Sequence, residues 1–287
     1  MQTYIHDFTA RQYMITPDFE YFHYVDRSAA DIEYHNHDFY EIYFFVSGKV
    51  TYIIEGKSYK LRPGDILLVH SNELHKPIVE HGEIYERIVL WVNPDFLKKQ
   101  SKRNTNLSLC FESFFPGKTN LLRPNPDLLN KIRSILSTFE NSCSSMSYGS
   151  NVLKDIYIME FIIYINKAFL ESFGDKVEED VEYNEKINSV IHYINSNLDA
   201  DLSLDTLSQK FYLSKYHLLR EFKKYTGYTI HNYIHQKRLI MAKSLLKKDL
   251  SVTEVYSRCG FRDYSNFIRA FKKAFGVPPK TYYKSQL

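Results

Sequence analysis

With 287 residues, 44% hydrophobic and 16% aromatic, the chain can bury two domain cores and is not of the disordered class. Its net charge of +3 conceals a division: residues 184–287 carry 18 Lys and Arg against 8 Asp and Glu, whereas residues 1–183 carry 19 against 26. A basic C-terminal third joined to an acidic remainder points to DNA for the one and to sensing or pairing for the other. Cys110, Cys143 and Cys259 lie too far apart for a disulfide framework or a cysteine metal finger. No apolar run reaches membrane length, the segment FIIYINKAFL being short and carrying Lys167, and no secretory pattern opens the chain. A soluble, cytoplasmic protein with no membrane partner is expected.

Residues 1 to about 20 are aromatic and irregular and read as either a first strand or an arm. From Phe19 to Asn93 short runs of Tyr, Phe, Ile and Val alternate with turn signals at Ser47-Gly48, Glu55-Gly56 and Pro63-Gly64, the pattern of a compact β-barrel. Within it, His35, His37, Phe39, Glu41, Tyr43 and Phe45 fall on one face of a strand. The spacing HxHxxxE followed by Gly48 resembles the first cupin motif. The second motif would place Pro and Gly before a histidine. Here Gly64 leads to His75 with the histidine kept, but His70 and Asn72 stand where Pro and Gly are usual. A cupin-like barrel is the expectation.

A face holding His35, His37, Glu41 and His75 admits two uses. Three imidazoles and a carboxylate suit zinc, iron, manganese or nickel; equally, they can hydrogen-bond a polar ligand or one another. The second use is preferred, with no metal and no cofactor assigned. Tyr43, Trp91 and Arg87, with Phe45, add stacking faces and a charged anchor, so the candidate ligand site is His35, His37, Glu41, Tyr43, His75, Arg87 and Trp91, and flat aromatic faces beside polar groups favour a carbohydrate.

Residues 94–126 are mixed and punctuated by proline. Two helical patterns follow, Leu128–Phe139 with Leu128, Leu129, Ile132, Ile135, Leu136 and Phe139 apolar, and Val152–Phe173 with Val152, Ile156, Met159, Ile163 and Phe169 apolar. Their stripes must be buried on the barrel or on a second subunit. The acidic segment GDKVEEDVEYN, residues 174–184, reads as a linker between a sensing domain, 1–173, and a DNA-binding domain, 185–287.

In the last domain helices are expected at Glu185–Leu198, Leu204–Phe211 capped by Ser203, Ser214 to about Thr226, Thr229–Lys248, and from the capping box Ser251…Glu254 to the break at Gly260-Phe261. A final helix starts at Asp263 and runs to about Phe275, with Phe267, Phe271 and Ala274 on the buried face. Arg220-EFKKYT-Gly227 matches Arg269-AFKKAF-Gly276 at five of eight positions, an internal duplication at an offset of 49. Two helix-turn-helix units on one scaffold follow. The outward side chains are Tyr216, Leu219, Arg220 and Lys223 on the first reader helix and Tyr264, Ser265, Ile268, Arg269 and Lys272 on the second. Arginine suits guanine and apolar Leu219 and Ile268 suit a thymine methyl. Lys223, Lys224, Lys272 and Lys273 suit phosphate. A salt bridge to a neighbouring acid is the structural alternative for Arg220 and Arg269.

The stretch GFRDYSNFIRAFKKAFGVPPKTYYK resembles the C-terminal signature of the AraC/XylS transcription regulators, and the resemblance extends over roughly residues 185–284. One departure is Tyr256, where the family usually has a small alanine under the turn. The resemblance implies that the outward residues face the major groove, that the helices after the barrel make a homodimer, and that an N-terminal arm can fold over a pocket mouth. The expected fold is therefore two-domain α+β, with a cupin-like β-barrel and two helices followed by an all-α module. The expected function is a DNA-binding transcription regulator responding to a small polar ligand, with double-stranded promoter DNA and the effector as partners and RNA polymerase left open as a further one. The alternatives are a metal-dependent cupin enzyme, an isomerase or dioxygenase with an attached DNA module, and a DNA binder whose barrel only dimerises.

Overall fold

The computed structural model describes residues 5–6, 8, 11–27, 32–80, 82–112, 119–143, 148–172, 180–248 and 250–284. The chain divides into two compact units, residues 1–54 with 58–182, and residues 183–287 with 55–57.

The first unit is built on two antiparallel sheets. Strands β1 (Phe19–Asp26), β2 (Tyr40–Ser47), β3 (Val50–Ile54), β4 (Lys57–Lys60), β5 (Ile66–Val69), β6 (His75–Val79), β7 (Tyr85–Val92), β8 (Leu121–Leu122) and β9 (Val181–Glu182) form one sheet of order β1-β7-β2-β5-β8 and another of order β6-β3-β4-β9. Strand alternation decides what each sheet face does. Tyr43 and Phe45 of β2, Val89 and Trp91 of β7, and Phe22 and Tyr24 of β1 meet Tyr52, Ile54 and Tyr59 of the opposite sheet in an aromatic interior. Ile42, Phe44, Ile88 and Leu90 face the other way, onto helices α2 (Pro126–Cys143) and α3 (Ser150–Glu171). A short helix, α1 (Pro94–Gln100), follows β7; the Asn93 side chain caps it and Pro94 occupies its first turn, where the missing N–H costs nothing. The proline-punctuated stretch thus holds a helix that its mixed composition hid.

The expected apolar positions of α2 are buried or half-buried. Those of α3 need correction. Val152, Ile156 and Ile163 are exposed, and the buried face is Ile158, Phe161, Ile162, Ile165, Ala168 and Phe169. The helix is apolar nearly all round, so its periodicity defines no single face. Phe173, expected as its end, lies outside the described residues.

Of the expected linker, residues 174–179 lie outside the described residues. Its end is tied to the first unit: Asp180 accepts an ion pair from Arg123 at 2.9 Å, and β9 pairs with Ser58 and Tyr59 of β4. Residues 5–16, where described, are not in a strand. They run beside β1, with His6 edge-on to Phe22, Phe8 edge-on to Tyr24, and the Arg11 guanidinium 5.2 Å from the Trp91 ring centre.

The second unit is all-α: α4 (Glu185–Ser196), α5 (Leu204–Lys210), α6 (Lys215–Thr226), α7 (Ile230–Leu246), α8 (Val252–Arg258), α9 (Tyr264–Phe275) and α10 (Pro279–Lys284). Ser203, Ser214, Thr229, Ser251 and Asp263 each accept a backbone N–H at a helix start, and Ser251 with Glu254 closes a capping box. The long α7 buries Tyr233, Ile234, Leu239, Ala242 and Leu246. Ala274, expected inside, is exposed; the buried row of α9 continues from Phe267 and Phe271 to Phe275, whose ring lies 4.6 Å from that of Phe271. The i, i+4 step outweighs i+7 because the phenylalanine covers more apolar area. Tyr256 occupies the room under the second turn, its ring edge-on to Tyr264 at 5.3 Å. Cys110 and Cys259 are buried, Cys143 is half-buried, and all three are free thiols. Among the described residues no helix is long and apolar enough to cross a membrane.

Candidate functional site

Two regions carry chemistry that packing alone does not require. The first is the pair of helices α6 and α9. Each has 12 residues, begins at a side-chain cap and ends at a glycine in the left-handed region, Gly227 or Gly276, whose N–H bonds back to Lys223 or Lys272. Leu218, Phe222 and Thr226 of α6, and Phe267 and Phe271 of α9, fix the inner faces. The outer face of α6 then presents Tyr216, Leu219, Arg220, Lys223 and Lys224 to solvent. On α9, Tyr264, Ser265, Arg269, Lys272 and Lys273 are exposed. Ile268 differs: it is half-buried against the α7–α9 core and offers only part of its surface.

The arginines are held differently. Arg220 Nε lies 3.0 Å from Glu221 Oε1, so the salt-bridge alternative is realised there, though its side chain stays 58% exposed and can exchange the partner. Arg269 donates instead to the Asn266 amide oxygen. His217, whose Nδ1 lies 3.4 Å from Arg220, and Asn266 occupy matching first-turn positions, and each touches its arginine. Both were missed by the sequence reading, which looked along the outer stripe. The offset of 49 pairs 217 with 266 and was the signal available. A groove between the two units is lined by Leu219, Arg238, Arg262, Arg269 and Lys273 among others, so basic side chains of both halves share one concavity.

The second region is the polar end of the barrel interior. Glu41 sits on β2 with Trp91 of β7 directly opposite. Trp91 Nε1 donates to its Oε2 at 3.0 Å and the Tyr52 hydroxyl donates to its Oε1 at 3.2 Å. His75 begins β6 and exchanges backbone hydrogen bonds of 3.1 and 3.0 Å with His35. His37 is pinned by its carbonyl, which accepts from Asn72 N at 2.9 Å; Asn72 has φ +78°, a conformation asparagine tolerates better than most residues, so it can stand where the motif has glycine. Ligand atoms of His37, Glu41 and His75 all lie within 4.8 Å of one another, and the three residues are buried. The rings of His35 and His75 are centred 4.2 Å apart.

Burial pushes the Glu41 carboxyl up, but the His37 contact and the imidazoles around it hold it below the ordinary carboxylate range, at about 2. Burial, with His35 and His37 beside it, drives His75 well below its usual value, and burial lowers His35 as well, so both are neutral rings. The arrangement is an ionised carboxylate with two indole and phenol donors, facing neutral imidazoles.

The structure brings His35, His37, Glu41, His75 and Trp91 together. Tyr43 borders the group through Tyr52, 5.1 Å away between ring centres, and its hydroxyl bonds that of Tyr85. Arg87 is buried elsewhere: it pairs with Asp26 at 2.5 Å and stacks 4.0 Å over Tyr85. Its charge is already engaged. Tyr52 belongs to the cluster and was missed; the alternation of β3 was the signal that could have found it.

The profile of the AraC-like ligand binding domain matches residues 20–158, and that of a helix-turn-helix domain matches residues 207–285. The HTH-type transcriptional activator RhaS of Salmonella schwarzengrund is 26% identical over 248 residues, covering 86% of this chain and 85% of that protein. Among solved structures, unsaturated fatty acid-bound ToxT of Vibrio cholerae is 18% identical over 93% of this chain and 95% of its own, with TM-score 0.40. The DNA-binding domain of AdpA in complex with a target DNA is 27% identical over 36% of this chain and 93% of its own, with TM-score 0.34. Relatives that are transcriptional activators set aside the enzyme alternative. The chain belongs to the AraC/XylS family of transcription regulators, joining a ligand-binding domain to a helix-turn-helix DNA-binding module and not an enzyme.

Proposed function

We propose that this regulator acts in the cytoplasm as a homodimeric transcription activator whose barrel, residues 1–173, binds a small polar effector, with a carbohydrate as the favoured class, and whose module, residues 185–287, binds promoter DNA. The effector would lie against His35, His37, Glu41, Tyr43, His75, Arg87 and Trp91. Base edges would meet Tyr216, Leu219, Arg220, Tyr264, Ser265, Ile268 and Arg269, and phosphates Lys223, Lys224, Lys272 and Lys273. RNA polymerase is the partner that an activator, as its relatives are named, would engage.

The observation that carries the DNA half is the duplicated reader helix, with an exposed arginine at the same register in each copy. Two such helices enter successive major grooves about 34 Å apart on one face of the duplex. Selection from random DNA by the purified protein should therefore recover two short motifs about one helical turn apart. Enrichment of a single motif would overturn the two-reader arrangement. The exposed row Val152, Ile156, Ile163 and Leu170 on α3 supports pairing of subunits through this helix. A thermal-shift screen with sugars tests the effector class, since a ligand that binds only the folded state raises the melting temperature. Shifts with other metabolites and none with sugars would change the class.

A further inference from the structure

The polar cluster of the barrel poses a hydrogen-bonding problem that the protein's own atoms leave unanswered. His35, His37 and His75 each direct Nδ1 to a backbone carbonyl, of Glu33 at 3.0 Å, Phe39 at 2.9 Å and Glu73 at 2.9 Å. A carbonyl only accepts, so the hydrogen sits on Nδ1 and a neutral ring is left with a lone pair on Nε2. The Nε2 atoms of His37 and His75 are buried and have no hydrogen-bond partner. His37 Nε2 lies 3.4 Å from Glu41 Oε2, close enough for charge to matter but not aligned as a hydrogen bond. Glu41 is itself oriented from behind by Trp91 and Tyr52.

A lone pair facing a carboxylate oxygen across that gap is repulsive, and a second buried nitrogen lies beside them. A proton on His37 would remove the first problem and leave the His75 nitrogen unsatisfied. One cation answers both.

We propose that His37, Glu41 and His75, with His35 as a fourth donor, form a binding site for one divalent first-row transition ion of the zinc class. Imidazole nitrogens favour such ions over magnesium or calcium, which take oxygen donors. Donors about 2.0–2.2 Å from one ion stand about 3.4 Å apart, so atoms now within 4.8 Å need to close by roughly an ångström. The backbone carbonyls at Nδ1 fix the tautomer and ring plane in the manner of an outer shell around a metal. His35 is only half-buried and lies at the open side of the group, where it completes the set. The inference concerns the same cluster as the effector reading but needs no effector, so each can fail alone.

The test uses full-length protein stripped with EDTA and titrated with zinc chloride alone, no sugar present. One equivalent per chain is expected, with a raised melting temperature. His75→Asn and Glu41→Gln should each weaken zinc binding by about 100-fold or more, beyond the roughly 10–100-fold typical of outer-shell changes. His192→Ala, at an exposed helix position, should change nothing. Undiminished zinc binding in both site variants, or no stoichiometric binding at all, overturns the proposal. Should the variants fail to fold, cobalt(II) added to the intact protein decides. Intense visible bands of a four- or five-coordinate ion support the site, and the weak spectrum of the hexaaqua ion overturns it. A sugar screen on the stripped and the loaded protein keeps the effector question separate.

Discussion

In the first helix-turn-helix unit the chain leaves α5 through Tyr212, at φ +53° and 93% exposed; in the second it leaves α8 through Gly260, at φ +71°. The backbone does the same thing twice with opposite residue types. The reader helices repeat at an offset of 49, but α5 and α8 begin 48 residues apart, so the second turn carries one extra residue. The surroundings explain the choice. A Cβ on Gly260 would stand 2.3 Å from the Leu198 carbonyl oxygen and 2.9 Å from the Arg238 guanidinium carbon. Arg238 is itself held there, donating to the carbonyls of Leu198 and Ala200 at 2.9 Å each. Duplication preserved the reading face and left each turn to its own neighbours.

The largest effect that would sharpen this contrast is Gly260→Ala. It adds a left-handed penalty to a collision with backbone, together about 3 kcal/mol of lost stability in the DNA-binding module. Thermal unfolding of the full chain should show the module's transition falling by well over 5 °C. A change of less than 2 °C would mean that the second turn is as permissive as the first.

Next come the arginines. Arg220→Ala and Arg269→Ala should each cost about 1–3 kcal/mol of binding to the selected DNA and relax sequence preference in one motif only. Because Arg220 must leave Glu221, Glu221→Gln should strengthen binding two- to threefold, with no counterpart in the second unit. Fluorescence anisotropy at fixed salt measures both. Equal loss of preference in both motifs from either arginine variant would break the assignment of one motif to each unit. Lys223→Ala and Lys272→Ala should weaken all sequences alike and reduce the salt slope by about one each.

The helix boundaries and the duplicated face were legible because local chemistry sets them. Ser203, Ser214, Ser251 and Asp263 announce helix starts by their own side chains, and the Arg220 and Arg269 repeats needed only alignment. The His35–His37–Glu41–His75 group was legible because a two-residue period and one motif brought its members together. What depends on third parties was not. The face of α3 could not be read from a helix apolar all round, and Arg87 looked available until Asp26 and Tyr85 were seen around it. Ile268 turned half inward because the α7–α9 core had room for it. Nothing near positions 211 and 260 in the sequence distinguishes an open turn from one pressed against Leu198.

A pH titration separates the halves in another way. His235 on α7 lies edge-on to Phe261 of the second turn, 5.6 Å between ring centres. Burial first, then the charges of His231, Arg238 and Lys273, lower its pKa below the usual 6.5. The folded module therefore binds this proton less readily than the unfolded chain does. Stability is full above about pH 6.5 and falls as pH drops through that value, levelling off below the folded pKa. His235→Gln should flatten this slope between pH 7 and 5, and an unchanged slope would remove His235 from the account.

The smallest effect runs in the opposite direction. Tyr212→Gly relieves a side chain of its left-handed cost and gives up almost no packing, since the ring is 93% exposed. The gain is offset in part by the greater freedom of glycine in the unfolded chain, leaving about 0.5 kcal/mol of added stability. The melting temperature of the module should rise by a degree or two while DNA affinity stays constant, because Tyr212 precedes the reader helix. A fall in affinity without a fall in stability would show instead that Tyr212 is kept, against its conformational cost, for contact with DNA.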